Sequence, residues 1–235
     1  MGDLAKDYHE SMFQKYGMAA QRRYPNEELC RFMGRHFFTL SPAEKSQKKI
    51  LELGCGTGAN LWMTAREGLD SYGIDISAKA VELCHEMLGS WGTKAKLQEM
   101  CMTDLDYPDE YFDAVLDIFS TFCLDMENFE ICLKHVARVL KARGKFFSYT
   151  PSAGSAAFTN YQPSKKIDEY TLSGITRKDS AYSGSNHPFR FLNKDLCEKQ
   201  LAIHGLKVTY LETTSRTYNH MGEYFEFIIF EAEKI

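Results

Sequence analysis

The sequence predicts an α/β fold in which a mostly parallel sheet carries helices on both faces. Short apolar runs alternate with helical patterns across residues 49–150, the order expected of parallel strands joined by crossover helices. The first run, Ile50-Leu51-Glu52-Leu53, opens into Gly54-Cys55-Gly56-Thr57-Gly58-Ala59-Asn60, with a glycine at every second position of the turn. Such a turn joins a buried strand to a helix and lets a ligand approach the backbone closely. Asp75, 21 residues after Gly54, ends a second run, Tyr72-Gly73-Ile74-Asp75. A carboxylate there can accept both hydroxyls of a ribose, so the chain is expected to bind an adenosine-containing cofactor.

Taken in order, residues 3–16 and 26–38 read as two helices. Pro25 precedes the second, and Glu27 and Glu28 occupy its first turn, where the helix dipole favours acids. Strands are expected at 49–53, 71–75, 95–99, 112–117 and 145–150, with helices at about 59–67, 78–90 and 127–141. In the last helix Phe129, Cys132, Leu133, Val136 and Leu140 share one face, and Gly144 supplies a turn soon after it. From Pro151 to about Phe191 the periodicity dissolves into a Gly-, Ser-, Pro- and Tyr-containing segment. Loops of that length are usually functional or disordered, and this one follows the fifth strand, at the carboxyl edge where ligands bind. Asn193 reads as a cap for a helix over 194–203, Gly205 as a turn, and 206–212 and 223–232 as strands. The chain thus divides into an amino-terminal helical leader (1–45), a cofactor-binding core (46–150), an insertion (151–191) and a closing helix with strands (192–235).

At 235 residues, one domain with an insertion is expected. A formal charge of −4 argues against a general electrostatic grip on nucleic acid. No apolar run approaches the ~18 residues of a membrane span, and the amino terminus has no apolar signal region. Seven cysteines, with no C-x-x-C pair, fit free thiols in a reducing cytoplasm. No metal is expected, since close-spaced ligand pairs are absent.

A glycine turn by itself leaves the cofactor open, because Gly54, Gly56 and Ala59 also satisfy the looser dinucleotide fingerprint. Glu52 argues against a pyrophosphate there and suits a cationic ligand. Leu51-Glu52-Leu53-Gly54-Cys55-Gly56-Thr57-Gly58 resembles the first motif of class I S-adenosylmethionine-dependent methyltransferases, and Gly73-Ile74-Asp75-Ile76-Ser77 their second. Thr103-Asp104-Leu105 and Tyr111-Phe112-Asp113-Ala114-Val115-Leu116-Asp117 resemble the third and fourth, and 136–145 the helix, turn and strand that follow. The resemblance covers roughly 45–150, in order. It implies a Rossmann-like, seven-stranded sheet with an antiparallel finish, an amino-terminal helical lid, and S-adenosylmethionine as methyl donor with S-adenosylhomocysteine as product. It also implies roles: Gly54, Gly56 and Gly58 along the methionine and ribose, Glu52 toward the ammonium, Asp75 on the ribose and Ile76 against adenine. Asp104 would accept the adenine amino group, Leu105 would offer its backbone N–H to the ring, and Asp117 would lie near the methionine tail, more through its backbone than its side chain. The plainer alternatives are a helix cap for Asp75, a turn residue for Asp104, and a bond to the glycine loop for Glu52.

For the acceptor, the stretch after the fourth strand, 118–124, holds no histidine. His187, beside Pro188 and near Arg190, is the base candidate, with Arg190 as an anion-binding group; both could instead fix the loop. Tyr16 and Tyr24 are expected to face the acceptor from the leader. The insertion has five Lys/Arg against three Asp/Glu, which leans toward an anionic or polar acceptor. The expected reaction moves a methyl group to O or N of a small molecule, in a monomer or homodimer. Protein methylation, a nicotinamide-dependent oxidoreductase and a non-catalytic binding module are the alternatives. Nucleic-acid methylation is disfavoured by the absence of N-P-P-Y, D-P-P-Y and Pro-Cys motifs.

Overall fold

The computed structural model describes residues 2–235, so that Met1, the first residue of the leader, lies outside it. One seven-stranded sheet organises the chain, built of β1 (Lys49–Leu53), β2 (Asp70–Asp75), β3 (Lys96–Glu99), β4 (Phe112–Ile118), β5 (Leu140–Pro151), β8 (Leu206–Tyr218) and β9 (Glu223–Lys234). Their order across the sheet is β3-β2-β1-β4-β5-β9-β8. The pairs among β1–β5 are parallel, and β9 runs antiparallel to both β5 and β8. A further two-stranded ribbon, β6 (Thr171–Leu172) with β7 (Phe189–Arg190), lies in the insertion.

The helices are α1 (Gly2–Tyr16), α2 (Glu27–His36), α3 (Pro42–Lys45), α4 (Ala59–Arg66), α5 (Ala78–Ser90), α6 (Met126–Val139), α7 (Ala156–Thr159) and α8 (Lys194–Ile203). Local chemistry sets their starts. Asn26 accepts from the N–H groups of Glu28 and Leu29, Ser77 from Ala80, Asp125 from Asn128, and Asn193 from Leu196, each pairing a donor the first turn would leave open. In α2 the residues Leu29, Phe32 and Met33 are buried, and Phe32 stacks on Phe147 of β5 at 4.8 Å. On the opposite face α6 buries Phe129, Cys132, Leu133 and Val136. At ~1.5–3 kcal/mol per buried large apolar side chain, these faces outweigh the few tenths that separate residue propensities.

Three expectations change. α6 ends at Val139, and Leu140 already pairs with Phe112, so β5 begins five residues early; Arg143 (φ 62°), just before Gly144, takes the left-handed turn at the register shift. β8 runs to Tyr218, six residues beyond the expected 212, because β9 offers a continuous antiparallel partner. The insertion is not bare loop: α7, β6 and β7 occupy it, and Leu172, Ile175, Phe189 and Phe191 are buried in the core beside α2 and β9. Their irregular spacing hides that burial from any periodic pattern. Among the described residues, no helix is long and apolar enough to cross a membrane.

Candidate functional site

The strand order reverses between β1 and β4, and ligands of open α/β sheets bind in the crevice beyond the carboxyl ends at such a point. Here β1 ends in the glycine turn, and Gly54, Gly56 and Gly58 all have positive φ, at 64°, 51° and 88°. A Cβ on Gly54 would lie 2.5 Å from Ser120 Cβ, and one on Gly56 would collide with the Gln21 carboxamide. The turn is therefore closed on one side by the β4 loop and covered on another by Gln21, whose Oε1 accepts from the Thr57 N–H at 3.1 Å.

Asp75 ends β2, almost buried, with Oδ2 accepting from the Gly56 N–H at 2.9 Å and Oδ1 from the Ser77 N–H at 3.0 Å. Each oxygen keeps a lone pair, so the carboxylate braces the turn and can still receive hydroxyls. Burial raises its pKa, against the lowering effect of the backbone donors. Ile76 lies beside it, and both line a small cavity with Met102, His9 and Phe13. The cavity continues to Ile76, Ala5, Cys101, Met102, Thr103 and Asn128. α1 closes this end: Glu10 accepts from Ser77 Oγ at 2.5 Å and from the Lys79 N–H at 3.3 Å, and Phe13 packs on Ala80 and Leu83.

Asp104 and Leu105 do not take the places expected of them. Asp104 is exposed and lines none of these cavities. The Leu105 N–H donates to His135 Nδ1 at 3.2 Å, and its side chain is buried with Phe129 and Leu133. The residues that face the cavity are Cys101–Thr103, because β3 ends at Glu99 and the chain turns over the crevice at once. The end of the third strand, legible in the sequence, was the signal for them.

On the other side of the turn lies a cavity of about 540 Å³. Glu52 reaches it from β1, 2 % exposed. Its Oε1 accepts from Asn60 Nδ2 at 2.6 Å, while Oε2 is buried without a partner. Desolvation pushes the Glu52 carboxyl up to about 8, helped by Asp75 and Asp117 and opposed by Asn60 and Arg22. A buried oxygen without a donor is costly, and a ligand ammonium would satisfy it. The same cavity is lined by Phe119, Tyr149, Tyr182, Tyr218 and Phe227, with Arg22 and Arg216. Phe119 carries φ 58°, a conformation that costs a bulky residue on the order of 1 kcal/mol or more. It borders three cavities. Neither Phe119 nor the two arginines has a sequence motif to mark it.

Asp117 is fully buried and its side chain belongs to the scaffold. Oδ1 accepts from Ser120 N, Ser120 Oγ and Thr121 N, and Oδ2 from Thr121 Oγ1 and Ser148 Oγ, at 2.6–3.1 Å. It fixes the loop that carries Ile118 and Phe119 to the cavity wall.

The residues expected at the acceptor fall in different places. His187 lines a neighbouring cavity of about 250 Å³ with Tyr8, His9 and Phe122. Its Nδ1 lies 2.8 Å from the Pro188 carbonyl, which makes Nδ1 the donor and Nε2 the unprotonated nitrogen; burial lowers its pKa. Arg190 is fully buried. Its guanidinium donates to the Thr121 and Leu124 carbonyls at 2.7 and 2.9 Å and to Thr121 Oγ1 at 3.1 Å, and stacks on Phe129 at 3.5 Å. It ties the insertion to the β4 loop and has no access to a ligand, so the anion-binding role is withdrawn. Tyr16 and Tyr24 are exposed and line neither of these two cavities; Tyr24 packs on Trp91. The leader turns its arginine and glutamine inward instead.

Residues 50–144 match the family described as "Methyltransferase domain". A fatty-acid O-methyltransferase of Mycolicibacterium smegmatis is 31% identical over 131 residues, which are 53% of this chain and 45% of that protein. An eEF1A lysine and N-terminal methyltransferase of Mus musculus is 30% identical over 141 residues, 59% of this chain and 19% of that protein. The chain therefore spans less than half the length of these relatives. A solved S-adenosylmethionine-dependent methyltransferase of Methanosarcina mazei superposes with a TM-score of 0.69 at 17% identity, over 90% of this chain and 99% of that one. The glycine turn and Asp75 lie within the segment that matches the methyltransferase domain, and the strand order is that of a fold shared with the solved S-adenosylmethionine-dependent methyltransferase.

Proposed function

We propose that the protein transfers a methyl group from S-adenosylmethionine to an oxygen or nitrogen of a small-molecule acceptor. The observation that carries this reading is the unpaired, buried Oε2 of Glu52, set on one side of the glycine turn with the Asp75 carboxylate on the other. Asp75 would take the ribose hydroxyls, Ile76 and Cys101–Thr103 the adenine, the glycine turn the thioether chain, and Glu52 the ammonium. The bound sulfonium supplies the methyl group and a good leaving group. The protein's own part is in-line positioning and exclusion of water, for which Gln21 and Phe119 are placed. For an acceptor that arrives with a proton, His187 offers a neutral Nε2 in the adjoining cavity. The relatives act on acceptors as different as a fatty acid and a protein lysine, by their names. A small molecule is favoured here because insertion and hairpin residues wall the cavity.

Calorimetric titration with S-adenosylmethionine, S-adenosylhomocysteine and NAD tests the reading. Micromolar binding of the first two, silence from NAD, and a tenfold or greater loss of affinity in Asp75→Ala are expected. Binding of NAD alone would make the chain a nicotinamide enzyme and end the proposal.

A further inference from the structure

The lining of the 540 Å³ cavity combines two arginines with an aromatic surface. Arg22, from the leader, and Arg216, from β8, both line it. Neither donates a hydrogen bond or forms an ion pair within the described residues, in contrast to Arg35, Arg138, Arg177 and Arg190, which are all engaged. The two guanidiniums are close enough to repel each other, and Arg22 also feels Glu52, Tyr149 and Tyr182. Two cations in one cleft, neither hydrogen-bonded to an acid, favour an anion. The surrounding surface is aromatic: Tyr149 stacks on Phe227 at 4.6 Å, Tyr182 packs on Phe119 at 4.9 Å and edge-on to Tyr218 at 6.4 Å. Burial holds the Tyr149 and Tyr182 phenols above their ordinary pKa, so at neutral pH they are hydrogen-bond donors and not bases. The acidic groups on the lining are Glu27, at the leader, and Glu52, already assigned to the cofactor ammonium.

Resting on the methyltransferase reading above, we infer that the acceptor is a carboxylic acid with an apolar or aromatic body, its carboxylate drawn in by Arg22 and Arg216 and methylated on oxygen. A carboxylate oxygen forms the new O–CH3 bond as the methyl–sulfur bond breaks, and the bonding pair stays on sulfur. The products are a neutral methyl ester and the neutral thioether, and no proton moves. An acceptor that is already an anion needs no base, which suits a wall built of protonated phenols and guanidiniums. Loss of the charge on methylation removes the attraction to both arginines and favours release.

The test uses the full chain loaded with S-adenosylhomocysteine and a matched panel: benzoate, phenylacetate, octanoate and decanoate, each beside its primary amide, with phenyl phosphate as a second anion. Thermal shift and calorimetry should show at least one acid binding tenfold or more tightly than its amide and than phenyl phosphate. That preference should vanish in Arg22→Gln/Arg216→Gln assayed at saturating S-adenosylhomocysteine, with a cooperative melting transition showing that the variant is folded. With S-adenosylmethionine the same acid should give its methyl ester by mass spectrometry, with no solvent deuterium isotope effect on kcat. If S-adenosylhomocysteine binds but no acid outcompetes its amide, or if the preference survives in the double variant, the carboxylate inference is wrong and the methyltransferase reading stands. If phenyl phosphate wins, the arginines read a phosphate and the inference also fails. If S-adenosylhomocysteine itself does not bind, the earlier reading is what fails.

Discussion

Glu52 and Arg190 show how burial decides what a charged residue does. Both are almost wholly removed from solvent, and each keeps one buried polar atom without a partner, Arg190 Nε and Glu52 Oε2. Arg190 lines no described cavity and makes three hydrogen bonds to the β4 loop, which makes it a structural tie, whereas Glu52 faces the 540 Å³ cavity, where a donor can reach it. Glu52 binds its proton more tightly folded, at about 8, than its ordinary 4.5. The folded state then holds more protons than the unfolded one between those values, so this group removes stability as pH rises from 4.5 to 8. Glu52→Gln should flatten that dependence and raise the melting temperature of the ligand-free protein at pH 8. In wild type at pH 7 a cationic cofactor should drive the carboxyl to ionise, so titrations in buffers of different ionisation enthalpy should report proton release, and the glutamine variant should report less.

Among the elements, α1 depends most on the state of its side chains, because it is held over the sheet edge by few groups. Glu10 caps α5, Phe13 enters a small cluster, and His9 packs on Tyr8 and His187. Desolvation, with a smaller push from His187, lowers His9 to about 4. Its folded value lies below the ordinary 6.5, so the undocked helix takes up protons first, and acidification from about 6.5 toward 4 favours release. Hydrogen exchange across residues 4–16 should speed up from pH 7 to pH 5 more than in the sheet, and His9→Phe should suppress that acceleration. The β8–β9 hairpin matters for a different reason. Side chains on a strand alternate faces, so the extension beyond Glu212 sets Arg216 and Tyr218 on one side, against the cavity.

For the whole molecule, the cavities lie where three separate stretches of chain meet the carboxyl ends of β1, β2 and β4. The leader contributes Gln21 and Arg22, the insertion Tyr182, and the hairpin Arg216 and Tyr218. Two buried carboxylates secure these pieces to the sheet: Glu231 accepts from Arg35 and contacts His36 Nε2, and Glu223 accepts from Arg177. A ligand that bridges the leader and the core should therefore stabilise the whole fold. At a hundredfold excess over its Kd, S-adenosylhomocysteine should contribute about 2.7 kcal/mol, raising the melting temperature by roughly 5–10 °C for a chain of this size. The same ligand should shift Asp75→Ala far less at equal concentration, as differential scanning fluorimetry would show.

The alternating core, the glycine turn and the carboxylates at the ends of the first two strands are legible in local spacing: a strand of fixed length, a turn that needs positive φ, an acid where the strand stops. The sequence itself also carries the capping residue Asn193 and the acids of α2's first turn. The rest depends on long-range packing. Spacing alone makes Arg190 a ligand group beside His187, and packing buries it against Phe129. Local periodicity leaves the insertion without structure, and long-range burial of Leu172, Ile175 and Phe191 orders it. Arg22, Arg216 and Phe119 share one cavity although 97 residues or more separate Phe119 from either arginine. No period of 2 or 3.6 can report a meeting of that kind, since it arises from how the leader and the final hairpin fold back over the sheet.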